Sequence, residues 1–135
     1  MKWISACALF LSIWGLGWGV AQAASPSLGS SFREWCLKKS SLSAEARKTV
    51  EVLLVQADTS DCEQANDNLS SHTELNLNGN QIIDVSPLSG LTNLSWLFLA
   101  GNQIKDVSPL SGLTNLSLLI LHYNQITEEV VAIEP

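Results

Sequence analysis

The sequence predicts an α/β solenoid: a short stack of coils with a parallel concave sheet, closed at its N-terminal end by an α-helical cap. Three observations predict it. Residues 72–126 repeat with a period of 22, the spacing of stacked supersecondary units. Each period opens on a pair of leucines two residues apart, the alternation of a short strand buried on one side. Residues 32–71 show helical spacing and carry no copy of the repeat, so they fit the end cap that a stacked coil requires.

In chain order, residues 1–23 read as a secretory signal. Lys2 supplies the positive start, residues 3–20 are apolar except for Ser5 and Ser12, and Ala21-Gln22-Ala23 forms an A-x-A site with cleavage before Ala24. An uncleaved anchor is the rival reading, at the short limit for spanning a bilayer. Membrane contact is expected only through this segment, if it is left uncleaved. The mature chain is then secreted, or held in the periplasm or cell envelope. Residues 24–31 are small and polar and read as a flexible spacer.

Ser31 is placed to cap a helix over 32–39, with Phe32, Trp35 and Cys36 on one face and Ser40-Ser41 as its break. Ser43 caps a second helix over 44–57. Its apolar positions are Ala46, Val50, Leu53, Leu54 and Ala57, while Glu45, Arg47, Lys48 and Glu51 face outward and Arg47 can pair with Glu51. Ser60 with Glu63 reads as a capping box for a third helix, whose inner face is Cys62, Ala65 and Leu69. Cys36 and Cys62 are the cysteines left after cleavage. In an exported chain they most economically form one disulfide, worth roughly 3–4 kcal/mol in the chain-entropy view. A metal site would need more ligands than this segment offers, so neither metal nor cofactor is expected.

The repeats are 72–93, 94–115 and a partial copy over 116–135. Gln81-Ile82-Ile83 and the ten residues after it recur from Gln103 with one change, Ile83 to Lys105. Leu75, Leu97 and Leu119 are in step, as are Leu77, Leu99 and Leu121, and Ile82, Ile104 and Ile126. Asn80, Asn102 and Asn124 fall where each coil turns, and their amides can form a ladder satisfying the backbone groups the turn leaves unpaired. Asp84-Val85-Ser86-Pro87 and its copy at Asp106 lead into short helical turns, where proline's fixed φ suits a first position. The third copy departs after Ile126: Glu129 stands where Val85 and Val107 stood, and the proline is missing. Two readings follow, an end improvised from Val130, Val131 and Ile133, or a truncated relative of a longer array.

These residues resemble the leucine-rich repeats of the bacterial internalin type. The frame L-x-L-x-x-N-x-I-x-D-V-x-P-L-x-x-L is met throughout 75–91 and 97–113, and through Ile126 in the third copy. A helical cap ahead of the repeats is also similar to that class; the Cys36–Cys62 pair is a variation outside it. The resemblance implies protein binding, usually on the concave sheet, and implies no catalysis.

The residues themselves agree with a binding role. The formal charge is −6, and loss of the leader with Lys2 makes it −7, which argues against nucleic acid and anionic membrane partners. Two histidines, His72 and His122, are present, and no G-x-S-x-G, H-E-x-x-H or phosphate-binding glycine loop appears; no enzyme is expected. If Leu75 and Leu77 point inward, Glu74, Asn76 and Asn78 point out. The matching positions are Trp96, Phe98 and Ala100, then Leu118, Ile120 and His122 with Tyr123 beside it. Rows of Trp, Phe, Leu and Ile about 4.8 Å apart form a contiguous apolar cluster. Three readings account for it: a docking patch for a protein or peptide, self-association there or through the open third strand, and a decayed repeat.

Overall fold

The computed structural model describes residues 31–127. The expected signal segment, most of the expected spacer and the divergent end after Thr127 lie outside the described residues.

Three helices build the cap. Ser31 is extended, and its Oγ accepts the Glu34 amide at the head of α1, Phe32–Leu37, which buries Phe32, Trp35 and Cys36. This helix stops two residues short of the expected Lys39. A 3-10 turn over Lys39–Ser41 follows, and the Arg47 guanidinium braces it, donating to the Lys39 and Leu42 carbonyls at 3.2 and 2.9 Å. Arg47 is therefore half-buried against the connector. The expected pair with Glu51 does not form, because two backbone carbonyls hold the fork of the guanidinium more firmly than one exposed carboxylate.

Ser43 caps α2, Ala44–Gln56, accepting the Ala46 amide. The buried face of α2 is wider than the helical spacing suggests: Thr49 and Val52 join Ala46, Val50 and Leu53, while Leu54 is only partly covered. The reason is that α2 packs both on α3, Cys62–Ser70, and on the 3-10 turn of the first coil, Ser86–Leu88. It ends in a Schellman arrangement, with Thr59 N–H on the Leu54 carbonyl, Asp58 N–H on that of Val55, and Asp58 at φ +55°.

The cap of α3 is Asp61, not Ser60. Its Oδ1 accepts the Gln64 amide at 2.8 Å, while Thr59 Oγ accepts the Asp61 amide. Glu63 is drawn away from the expected box into an ion pair with Arg33 on α1. A carboxylate at position 61 outcompetes the hydroxyl at 60 for the free amides, which shifts the cap by one residue. The Cys36–Cys62 disulfide, Cα–Cα 5.6 Å, ties α1 to α3. Trp35 lies in this core, and its indole N–H has no hydrogen-bond partner among the described residues.

Beyond the cap, β1 (Glu74–Asn76), β2 (Trp96–Phe98) and β3 (Leu118–Ile120) form a parallel sheet in that order. Leu75 aligns with Leu97 and Leu97 with Leu119, so every repeat contributes the same layer. Leu77, Ile82, Val85, Leu88 and Leu91 fill the first coil, and the equivalent residues of the second, Leu99, Ile104, Val107, Leu110 and Leu113, are also buried. Among the described residues the third coil has a neighbour on one side, and Leu116, Leu119, Leu121 and Ile126 are half-covered. Each turn into a 3-10 segment is held by an aspartate: Asp84 Oδ1 accepts the Ser86 amide, and Asp106 Oδ1 that of Ser108. Hydrogen bonds from Ser108 hold the Asp106 carboxyl below the usual carboxylate range.

The interior of the turns is closed by amides. Asn102 is buried; its Oδ1 accepts the Asn80 and Ile82 amides, and its Nδ2 donates to the Leu77 and Leu99 carbonyls. Asn124 repeats this one coil later, accepting from Ile104 and donating to Leu99 and Leu121. Asn80 stands at the foot of the column. Its side chain reaches only the Asn78 carbonyl, because α2 occupies the place of a preceding coil and places Lys48, Glu51 and Val52 beside it. A second column runs down the other side of the stack, where Asn93 donates to Ser70 and Asn115 to Thr92.

Candidate protein-binding face

Strand alternation decides which side chains meet solvent on the sheet. With the leucines inward, the outer face carries two columns across the three strands: Glu74, Trp96, Leu118 and then Asn76, Phe98, Ile120, aligned as Cα partners. Trp96 is 47% exposed and Leu118 37%. Phe98 and Ile120 are half-buried, flanked by their neighbours along the column. The structure thus brings these four side chains into one apolar surface, next to a first strand that is polar outside.

Past the strands the face changes character. Ala100 lies flush and buried, and its amide is taken by Asn78 Oδ1 at 2.6 Å, so the third row offers little apolar surface in its middle. His122 is exposed and meets Tyr123 edge to face at 4.9 Å. Tyr123 is 83% exposed and has φ +61°. In the two preceding coils that position is Gly79 at φ +68° and Gly101 at φ +70°, the residue type that enters the left-handed region freely. The glycine period, present at 79 and 101 and broken at 123, is the signal that sequence reading passed over.

Other exposed apolar side chains, Leu37, Val55 and Ile83, stand singly on separate elements and need no special account. His72 lies at the sheet entrance with Nδ1 on the Asn68 carbonyl. Among the described residues no group of His, Cys, Asp and Glu is arranged to hold a metal ion, and no helix is long and apolar enough to cross a membrane.

Comparison with known proteins agrees with this architecture. The family described as leucine-rich repeats (two copies) matches residues 92–130. An internalin (InlF) from Listeria monocytogenes is similar at 31% identity and a TM-score of 0.52, over 60% of this chain and 24% of that one. Internalin C2 from the same organism is 48% identical over 47% of this chain and 28% of that one, with a TM-score of 0.44. The chain thus spans about a quarter of the length of the internalin structures it matches. No curated protein sequence matches it. Residues 92–130 are thus matched as leucine-rich repeats, in a fold similar to that of an internalin.

Proposed function

We propose that this internalin-type leucine-rich-repeat chain is an exported binding module that docks a protein or peptide on its concave sheet. The contact residues are Trp96, Phe98, Leu118, Ile120, His122 and Tyr123. The observation that carries the reading is the contrast between strands: β1 shows Glu74 and Asn76 to solvent, whereas β2 and β3 show four large apolar side chains in register. Contiguous exposed apolar surface marks interaction sites, and aromatic residues supply most of the energy at their centres. Export rests on the leader pattern around Lys2 and Ala21-Gln22-Ala23; N-terminal sequencing of protein recovered outside the cytoplasm is expected to begin at Ala24. The resemblance to non-enzymatic binding proteins favours recognition over chemistry.

The test is a paired substitution. With an isolated partner, Trp96→Ala and Phe98→Ala together are expected to weaken binding by a factor of about thirty or more, the scale of a lost interface anchor. Undiminished binding with a normal unfolding transition would remove the reading.

A second reading has its own observation. Among the described residues β3 pairs with β2 alone, and an open strand edge invites another strand. Self-association through that edge predicts a dimer in sedimentation at micromolar concentration, whereas a monomer excludes it.

A further inference from the structure

We propose that the partner presents a lysine or arginine to Glu74 and the Trp96 ring, with adjoining apolar side chains seated on Phe98 and Ile120. The proposal rests on the concave-face reading above and specifies the chemistry that the face selects.

Glu74 and Trp96 are direct Cα partners across β1 and β2, so carboxylate and indole rise side by side from one face. Glu74 is exposed, and among the described residues no hydrogen bond or ion pair occupies its carboxylate. Next to them a shallow hollow of about 560 Å³ is lined by Thr73, Glu74, Ser95, Trp96 and Ser117. The hydroxyl residues at 73, 95 and 117 share one position in successive coils. Their backbone is committed elsewhere: the Thr73 carbonyl accepts from Ser95 and Trp96, and that of Ser95 from Ser117 and Leu118. Hydroxyl oxygens are left as acceptors at the rim.

A carboxylate, hydroxyl acceptors and the face of a tryptophan are the three groups that favour an ammonium or guanidinium. No lysine or arginine lies among the outward residues of the three strands, so nothing in the sheet competes for Glu74. The formal charge of −6 adds long-range attraction for a basic partner and repels an acidic one. Beyond this corner the face is apolar, so the cation sits at one end of the footprint and greasy side chains fill the rest.

The probe is a displayed library of random dodecapeptides selected on the purified protein. Enriched peptides are expected to pair an arginine or lysine with nearby leucine, isoleucine, phenylalanine or tryptophan. For a synthetic peptide of that kind, Glu74→Gln is expected to weaken binding about three- to tenfold at low salt and to flatten its salt dependence, the scale of a partly exposed ion pair joined to an aromatic contact. Replacing the peptide's basic residue by glutamine should make the wild-type protein and Glu74→Gln bind alike. If no peptide depends on Glu74, or enriched peptides are purely apolar, the basic anchor is overturned while the docking face stands. Binding that survives Trp96→Ala with Phe98→Ala overturns the face itself. A dimer in sedimentation that those substitutions dissolve and Glu74→Gln leaves intact assigns the face to a second copy and overturns the proposal. Glu74 is exposed, so its variant folds, and a coincident urea transition checks this.

Discussion

The Thr49 hydroxyl donates to the Asp84 main-chain carbonyl at 2.6 Å, joining the middle of α2 to the first coil. Thr49 is fully buried, and Asp84 uses its own side chain to start the turn at Ser86. One residue of the repeat therefore both shapes its turn and receives the cap. The helical cap and the solenoid share a core through this contact and should unfold together.

Thr49→Val tests that coupling. Valine keeps the shape and removes the donor, leaving the half-buried Asp84 carbonyl without this partner. A loss of about 1–3 kcal/mol is expected, read from urea unfolding. A change below about 0.5 kcal/mol would show that another group satisfies the carbonyl.

The asparagine column predicts an order. Asn102→Ala strands the Asn80 and Ile82 amides and the Leu77 carbonyl, while the Leu99 carbonyl keeps Asn124 Nδ2, and is expected to cost about 3 kcal/mol or more. Asn124→Ala should cost less, since Asn124 is half-buried where Asn102 is buried. Asn80→Ala, whose side chain makes one local bond, should fall under about 1 kcal/mol. Chemical denaturation of the three variants ranks them, and an equal loss at Asn80 and Asn102 would contradict the geometry.

Removing the Cys36–Cys62 bond frees α1 from α3. Cys36→Ala with Cys62→Ala is expected to lower stability by roughly 2–4 kcal/mol. Wild-type protein under reductant should melt near the double variant, and an unchanged melt in both would show that packing alone holds the cap.

Tyr123 stands at φ +61° in the position that Gly79 and Gly101 hold in the earlier coils. Left-handed backbone costs a bulky side chain roughly 1–2 kcal/mol, so Tyr123→Gly is expected to raise stability by up to about 1 kcal/mol once the added freedom of the unfolded chain is subtracted. The same variant should bind partner more weakly through loss of its ring. Gly101→Ala should lower stability by about 1 kcal/mol. Its Cβ would meet nothing nearer than 3.8 Å, so the dihedral alone is responsible.

The repeat frame was legible because it is periodic: a 22-residue spacing and inward leucines at 75, 97 and 119 determine strand register without knowledge of distant contacts. Helix positions were legible from local spacing for the same reason, and the inner cysteines followed from it. Competition between nearby groups was less legible. Asp61 displaced Ser60 as a cap, and Arg47 turned to backbone carbonyls instead of Glu51, because each choice depends on partners that folding brings close.

Sequence alone thus determined the coil, its direction and which side chains line the concave sheet, since strand alternation and a fixed period are properties of the local chain. Tertiary structure decided what those side chains stand beside. The position of the Glu74 carboxylate next to Trp96, the glycine-type backbone of Tyr123 and the reach of Thr49 to Asp84 arise from packing one coil on the next and the cap on the first. Such pairings join residues far apart in the chain, where no local preference acts.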